Sequence, residues 1–344
     1  MSVNDILIIA GFVFIIGLCI GSFLNVVILR ALSNESIVFP PSKCPTCGNR
    51  LKWWHNIPVL SYILLKGKCG FCGCKISIQY PIIELITGIL FTAVFLKYFV
   101  VALATTGLNI GTYFAIIYSW IIVSLLIVIA VTDIKEKVVF DAHTYSLIGM
   151  GLLLHILGTG YLIHYIIAST GAFHLSTAFL LNNPLTNSLL GIAAGVVIME
   201  LLARSGYLFA GTRAFGEGDT YIAAGLGAVF GWQKVLWALV LSIVIQVVIT
   251  LPVLLKKLFE NKDYKTFGAL IGFFAYATAY FILKNHNIFS ILIVQIASAL
   301  LLAGLGLYVC IRIIKGLREG NQDNMIYLPF GPAMAIAALL MTVV

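Results

Sequence analysis

Apolar runs long enough to cross about 30 Å of hydrocarbon recur along this chain, at 6–29, 82–101, 112–132, 144–166, 186–203, 219–233, 235–255, 266–284, 288–314 and 326–344. The pattern predicts an all-α polytopic membrane protein of about 8–10 transmembrane helices, with 167–185 as a loop or surface helix. Met1–Asp5 is short and acidic and the run after it exceeds a signal h-region, so 6–29 is expected to remain as the first span. The one large polar interruption, 31–80, falls directly after that span.

Composition agrees with the pattern. The chain is 61% hydrophobic and 10% charged, with a mean hydropathy of +1.07, values outside the range of a soluble domain. Charge adds orientation. With the N-terminus outside, the inner connections 30–81, 133–143, 204–218, 256–265 and 312–325 hold 18 of the 21 Lys and Arg, leaving Lys97, Lys234 and Lys284 outside. Positive residues mark the cytoplasmic side, so the net charge of +8 reads as topology and contact with anionic lipid rather than nucleic-acid binding.

The polar insert carries Cys44-Pro-Thr-Cys47 and Cys69-Gly-Phe-Cys72. Each CxxC turn aims two thiols at one point, and Zn²⁺ takes four in a tetrahedron. Disulfides are the alternative, but the charge bias puts the loop in the reducing cytosol. The expectation is a small cytoplasmic zinc-ribbon-like insert with Cys44, Cys47, Cys69 and Cys72 as ligands and Cys74 as a register rival to Cys72. Four thiolates leave no open coordination position, so the zinc would be structural. Trp53 and Trp54 read as interfacial anchors, and Cys19 and Cys310 as packing residues within spans.

Chemistry is sought among the thirteen acids. Asp133 closes a span running inward and Asp219, in Gly216-Glu217-Gly218-Asp219, opens one running outward, so both carboxylates emerge on the cytoplasmic face. Two carboxylates at close range cannot both ionise, and one acid beside one base is what water-mediated attack on a peptide carbonyl requires. Asp133 beside Lys135 and Lys137 also fits a solvated helix end, and a short glycine motif recurs by chance; the pair on one face carries the argument. Gly216 and Gly218 let a substrate or helix approach the backbone near Asp219, and the short segment 220–233 suggests that Asp219 lies inside the membrane boundary.

Gly21-Ser-Phe-Leu-Asn-Val-Val-Ile28, the paired CxxC turns, Asn56-Ile-Pro-Val-Leu-Ser61, Ile76-Ser-Ile-Gln-Tyr-Pro81 with Glu84, Thr132-Asp133 with Asp141, Gly216–Asp219 and Pro329-Phe-Gly-Pro332 resemble the type IV prepilin peptidase family, in family order. The resemblance implies a GxGD-type intramembrane aspartyl peptidase of the bacterial inner membrane. It would remove the basic leader of type IV prepilins or type II secretion pseudopilins at the cytoplasmic face. Many members also methylate the new N-terminus with S-adenosylmethionine, whose binding residues the sequence does not reveal. Carried over, the catalytic pair is Asp133 and Asp219, and the zinc ligands are the four cysteines.

Three features depart from the family: Tyr221 where a lysine is common two residues after the second Asp, Phe140 where a proline often precedes Asp141, and the additional spans within 262–324. Among the other acids, Glu84 reads equally as a first-turn acid on the helix dipole or a substrate-facing group, and Glu217 as a contact for the basic leader or a solvated side chain. Asp141 reads as a helix cap and Glu200 as an i,i+4 partner of Arg204. His155, His164 and His174 lie toward the outer side, away from the acids. The chain divides into a first helix (1–30), the cysteine loop (31–80), a membrane core (81–260), two additional helices (261–325) and a C-terminal helix (326–344). Rival readings are a membrane methyltransferase without peptidase activity and a transporter with intramembrane acids, though no inverted repeat accompanies them.

Overall fold

A capping box starts the first helix. The Ser2 side chain accepts from the Asp5 N–H at 3.3 Å and the Asp5 carboxylate accepts from the Ser2 N–H at 2.8 Å. From there α1 runs over Val3–Ser33 and ends on Asn34 in the left-handed conformation. In this computed structural model the described residues are 2–39, 41–105, 107–170, 183–210, 215–260, 262–283 and 329–343, with isolated positions between 179 and 308. A 3₁₀ turn, Trp53–Asn56, and the short α2, Leu60–Leu64, follow within the cysteine loop. The longer helices are α3 (Gln79–Ala104), α4 (Ile110–Glu136), α5 (Asp141–Thr170), α6 (Pro184–Ala210), α7 (Glu217–Glu260), α8 (Tyr264–Leu283) and α9 (Gly331–Val343).

The all-α expectation holds among the described residues, and six helices are long and apolar enough to cross a membrane. Most of the expected span 288–314 and of 167–185, together with His174 and Cys310, lies outside the described residues. The expected break at Lys234 falls instead at Gly231, whose φ of 78° and ψ of 174° divide α7 into two helices. The Asn187 side chain accepts from the Trp232 N–H there at 3.3 Å, satisfying a donor that the kink frees. The last helix also differs from its expectation: α9 has 13 residues, short for a full crossing. Ala333, Met334, Ala335, Ala337 and Ala338 are buried while Ile336 and Leu340 are exposed, so one largely small-residue face of α9 packs on α4.

Two units compose the fold: Met1–Met199 with Glu217–Ile243 and Pro329–Val344, and Glu200–Gly216 with Val244–Leu328. In the first unit, α1 packs on α3 through small residues four apart. A Cβ at Gly17 would stand 2.7 Å from the Gly88 Cα, and one at Gly21 would stand 2.7 Å from the Glu84 Cα. Such close approach is how helices gain dispersion contact where lipid offers no hydrophobic gradient between them. The Trp120 ring stacks on Phe91 with centroids 5.0 Å apart and its N–H donates to the Phe91 carbonyl at 3.0 Å, joining α4 to α3. The Lys97 ammonium donates to the Thr342 carbonyl at 3.0 Å, placing a cation at the C-terminal end of α9. In the second unit, Asp263 caps α8 by accepting from the Thr266 N–H at 3.2 Å, and Glu200 pairs with Arg204 at 3.2 Å as the spacing predicts.

The first half of α7, which carries Asp219, lies against α6 with backbone on backbone. A Cβ at Gly227 would collide with the Gly191 carbonyl and one at Gly191 with the Gly227 carbonyl. Neither backbone can yield as a side chain would, so Gly227→Leu should destabilise the protein by about 1–3 kcal/mol, read as a lower apparent Tm in detergent. An unchanged Tm would contradict this packing.

Candidate active site and cysteine cluster

Asp133 sits in the last turn of α4, 4% exposed. The preceding residues are apolar apart from the fully buried Thr132, whose hydroxyl is absorbed by the Val128 carbonyl at 3.0 Å. Lys137, left-handed with φ 54°, ends the helix by donating its N–H to the Asp133 carbonyl at 2.9 Å. The carboxylate faces the N-terminus of α9, where the Gly331 N–H donates to it. Its Oδ2 is buried with no hydrogen-bond partner among the described groups. A Cβ at Gly331 would collide with Oδ2, so only glycine lets α9 present its amide and dipole there.

Asp219 lies in the first turn of α7, 7% exposed. Ile222, one turn on, reaches the same place as Asp133: its Cδ1 would stand 3.0 Å from a Cβ at Gly331. One residue before Asp219, a Cβ at Gly218 would stand 2.7 Å from the Val139 Cβ, which lies just past the end of α4. Thus the end of α4 and the start of α7 meet around Gly331 and Val139. Sequence reading singled out Pro329–Pro332 as a motif but gave Gly331 no role, because the signal is a steric relation to residues far away in the chain.

The remaining site residues spread around this junction. Glu217 is exposed at the first position of α7, and Asp141 is exposed at the first position of α5. Tyr221 is two residues from Asp219 and so on another helix face; its ring packs edge-on against Tyr145 of α5, centroids 5.9 Å apart. Glu84 is buried on α3, with its carboxylate accepting from the Val59 N–H at 2.7 Å and from the Ser22 hydroxyl. It thereby ties the cysteine loop to α1 and α3. Cys19, expected to pack inside a span, is exposed instead.

The two CxxC turns are built alike. The Cys44 N–H donates to the Asn49 carbonyl and Gly48 N–H to the Cys44 carbonyl, both at 2.9 Å; the Cys69 N–H donates to Cys74 at 2.8 Å and Gly73 N–H to Cys69 at 2.9 Å. Gly48 and Gly73 follow the second cysteine of each pair with φ of 71° and 69°, which a Cβ would strain. Isolated bridges Lys43 to Arg50 and Lys68 to Lys75 close both turns. The sulfurs of Cys44, Cys47, Cys69 and Cys72 all lie within 4.8 Å of one another, near the separation of about 3.8 Å that four ligands at the Zn–S distance would adopt. Cys74 stands by as a fifth thiol, its sulfur 3.6 Å from Cys44.

The Cys47 N–H holds the Cys44 thiol down at about 6, helped by the Thr46 N–H and opposed by burial. The Cys72 and Phe71 N–H groups likewise lower Cys69. At Cys72 the Cys74 N–H pulls down, but the Cys74, Cys47 and Cys69 thiols and burial push it up to about 12. The backbone N–H groups therefore favour thiolates at Cys44 and Cys69, while hydrogen bonding with the neighbouring thiols keeps the proton on Cys72. These four residues could hold a metal ion.

Residues 15–98 match the family model "Bacterial Peptidase A24 N-terminal domain" and residues 120–251 match "Type IV leader peptidase family". Curated relatives are named prepilin leader peptidase/N-methyltransferase. That of Myxococcus xanthus is 33% identical over 68% of this chain and 59% of its own length. That of Neisseria gonorrhoeae is 32% identical over 63% and 72%, and that of Klebsiella pneumoniae 31% over 67% and 90%. No solved structure matches the chain.

Metal content of the purified protein should be about one ion per chain, as a four-thiolate site takes one, and Cys44→Ser or Cys69→Ser should abolish it. Because the thiols must give up their protons to bind, bound metal should persist at neutral pH and leave progressively on acidification, with protons replacing it on the sulfurs. Elemental analysis across a pH series checks both; unchanged metal in either variant would refute these ligands.

Proposed function

We propose that this chain, which belongs to the type IV leader peptidase family, is a membrane-embedded aspartyl endopeptidase with Asp133 and Asp219 as its catalytic pair. The buried Asp133 carboxylate, with one oxygen unsatisfied beside the first turns of α7, carries this reading. A carboxylate is costly to enclose among apolar helices, and one left with an open lone pair is suited to hold a proton or a water. In this mechanism one acid of the pair stays protonated and the other acts as base. The base takes a proton from a shared water, the water attacks the scissile carbonyl, and the acid protonates the carbonyl oxygen. The tetrahedral adduct then collapses as the first carboxyl returns its proton to the leaving amine, the C–N bond breaks, and the second carboxylate takes back the hydroxyl proton. Gly331 and the N-terminus of α9 orient Asp133; Gly218 lets the α7 turn approach it.

The substrates are precursors of type IV pilins or type II secretion pseudopilins, whose basic leader would meet the exposed acids Glu217 and Asp141 at the cytoplasmic face, with the N-terminus of the chain outside. The preference of Lys and Arg for the connections after α1, α4, α6 and the second half of α7 supports that orientation. Zinc on Cys44, Cys47, Cys69 and Cys72 would be structural, supplying folding energy to a loop too small for its own core.

Methylation is the second activity in the relatives' names. A cleft of about 830 Å³ under the cysteine loop fits its methyl donor: it is roomy, lined by Tyr62, Tyr80 and the buried Glu84. S-adenosylmethionine supplies a methyl group to an amine when bound. In this cleft Glu84 would be the counter-charge to its sulfonium, held in place by the Val59 N–H and the Ser22 hydroxyl, and the tyrosines would supply faces for its base. Lys135, two residues past Asp133, lines the same cleft, which would set the methylation site beside the cleavage site.

Incubating the protein with a pilin precursor and S-adenosylmethionine, and reading the product by intact mass, tests both steps. Asp133→Asn and Asp219→Asn should each slow leader removal by at least about 100-fold, and the double variant should fall little further, since the two act as a unit. Cleavage at the native rate by either single variant would overturn the assignment. Gly331→Ala, which pushes a methyl into the Asp133 carboxylate, should slow cleavage while leaving the metal content unchanged.

A further inference from the structure

The short helix α2 is amphipathic in the wrong sense for a soluble loop. Its inward side carries Ser61, which is buried and donates its hydroxyl to the Trp54 carbonyl at 2.5 Å. Its outward side carries Leu60, Ile63 and Leu64, 49%, 63% and 70% exposed, at the i, i+3, i+4 spacing of one face. Trp53, exposed in the preceding turn, extends the apolar surface, and the cations Lys52, Lys66 and Lys68 flank it, all exposed. Glu35 is the one acid in 31–78.

The height of α2 follows from its attachment. The Val59 N–H is bonded to Glu84, whose Cα lies level with Gly21 of α1. Side chains on a helix lean toward its N-terminus, which sets the Val59 turn level with Ile82 of α3 and Phe23 of α1. Both of those are exposed apolar side chains on helices long enough to span a membrane. The α2 segment therefore lies at the edge of the hydrocarbon, and its backbone is prepared for that. Val59 takes φ 60°, rare for a β-branched residue, forming a tight turn in which the Leu60 N–H donates to Pro58 at 2.5 Å. The N–H groups of Ser61, Ile63 and Leu65 donate to Ile57, Val59 and Ser61 at 3.0, 3.1 and 2.9 Å. Backbone donors satisfied internally are what a segment in contact with lipid requires.

We propose that α2 is an interfacial helix seated in an anionic bilayer leaflet. Leu60, Ile63 and Leu64 enter the acyl-chain boundary and Lys66 and Lys68 bind lipid phosphates. Charge chooses this occupant: a substrate segment with a basic leader would be repelled by the lysines, whereas phosphatidylglycerol-type headgroups are attracted. Seated in this way, α2 fixes the wall of the cleft that Ser61, Tyr62 and Leu65 line, and with it the cysteine cluster above.

The test places the full-length protein in nanodiscs of phosphatidylcholine alone or mixed with phosphatidylglycerol and follows tryptic cutting at Lys66 and Lys68 by fragment mass. Cutting should be at least about fivefold slower in the anionic discs, and added salt should remove the difference. Ile63→Ser with Leu64→Ser should restore fast cutting there and leave cutting at Lys262 unchanged; the lipid comparison on the unmodified protein stands if that variant does not fold. Equal cutting in both discs and in detergent would overturn the proposal. So would protection that ignores lipid and arises only on adding a peptide with a basic leader and an apolar stretch, which would make this face a substrate surface.

Discussion

A carboxylate enclosed by apolar helices can be met by the few backbone N–H groups that helical hydrogen bonding does not consume, and much of the first unit is arranged around supplying them. Asp133 receives the N–H of Gly331 at the start of α9. Glu84 receives that of Val59 in a strained turn of the cysteine loop. In both cases the acid and its donor come from segments remote in sequence, so the carboxylates join elements as well as carrying charge. The two differ in outcome. The Val59 N–H and the Ser22 hydroxyl hold Glu84 in place, which suits a structural anchor or a fixed counter-charge, whereas Asp133 keeps an unsatisfied oxygen.

Glycine makes these arrangements possible by removing bulk where backbones must touch. Gly17 and Gly21 bring α1 onto α3, Gly191 and Gly227 bring α6 onto α7, and Gly331 brings an amide onto Asp133. The first two contacts are packing and the third is electrostatics, yet the steric condition is the same: no Cβ. The cysteine loop solves a different problem. Among its described residues only Cys44, Ser61 and Cys69 are buried, and its two alike turns lower the Cys44 and Cys69 thiols with backbone N–H groups so that a cation can complete the cluster.

Much of this was readable one residue type at a time. Apolar run lengths predict the long described helices to within about seven positions at each end, CxxC spacing predicts the converging sulfurs, and Arg204 at i+4 predicts the partner of Glu200. What escaped is relational. The role of Gly331 depends on Asp133, nearly two hundred positions earlier in the sequence. Glu84 offered two readings, because its partner sits in a loop whose path no periodicity encodes. Tyr221 stood out only as a departure from the family's lysine, and its contact with Tyr145 of α5 is set by the fold.

By itself the sequence determined the all-helical membrane class, the pairing of the cysteines into two turns and the identity of the acids worth testing. Each of these depends on local spacing or on the cost of placing a residue in lipid. Only the tertiary structure decided that the first amide of α9 meets Asp133, that α7 breaks at Gly231, and that the apolar face of α2 points outward. These depend on which backbone lies against which, a property of chain segments brought together by folding and not of any one of them.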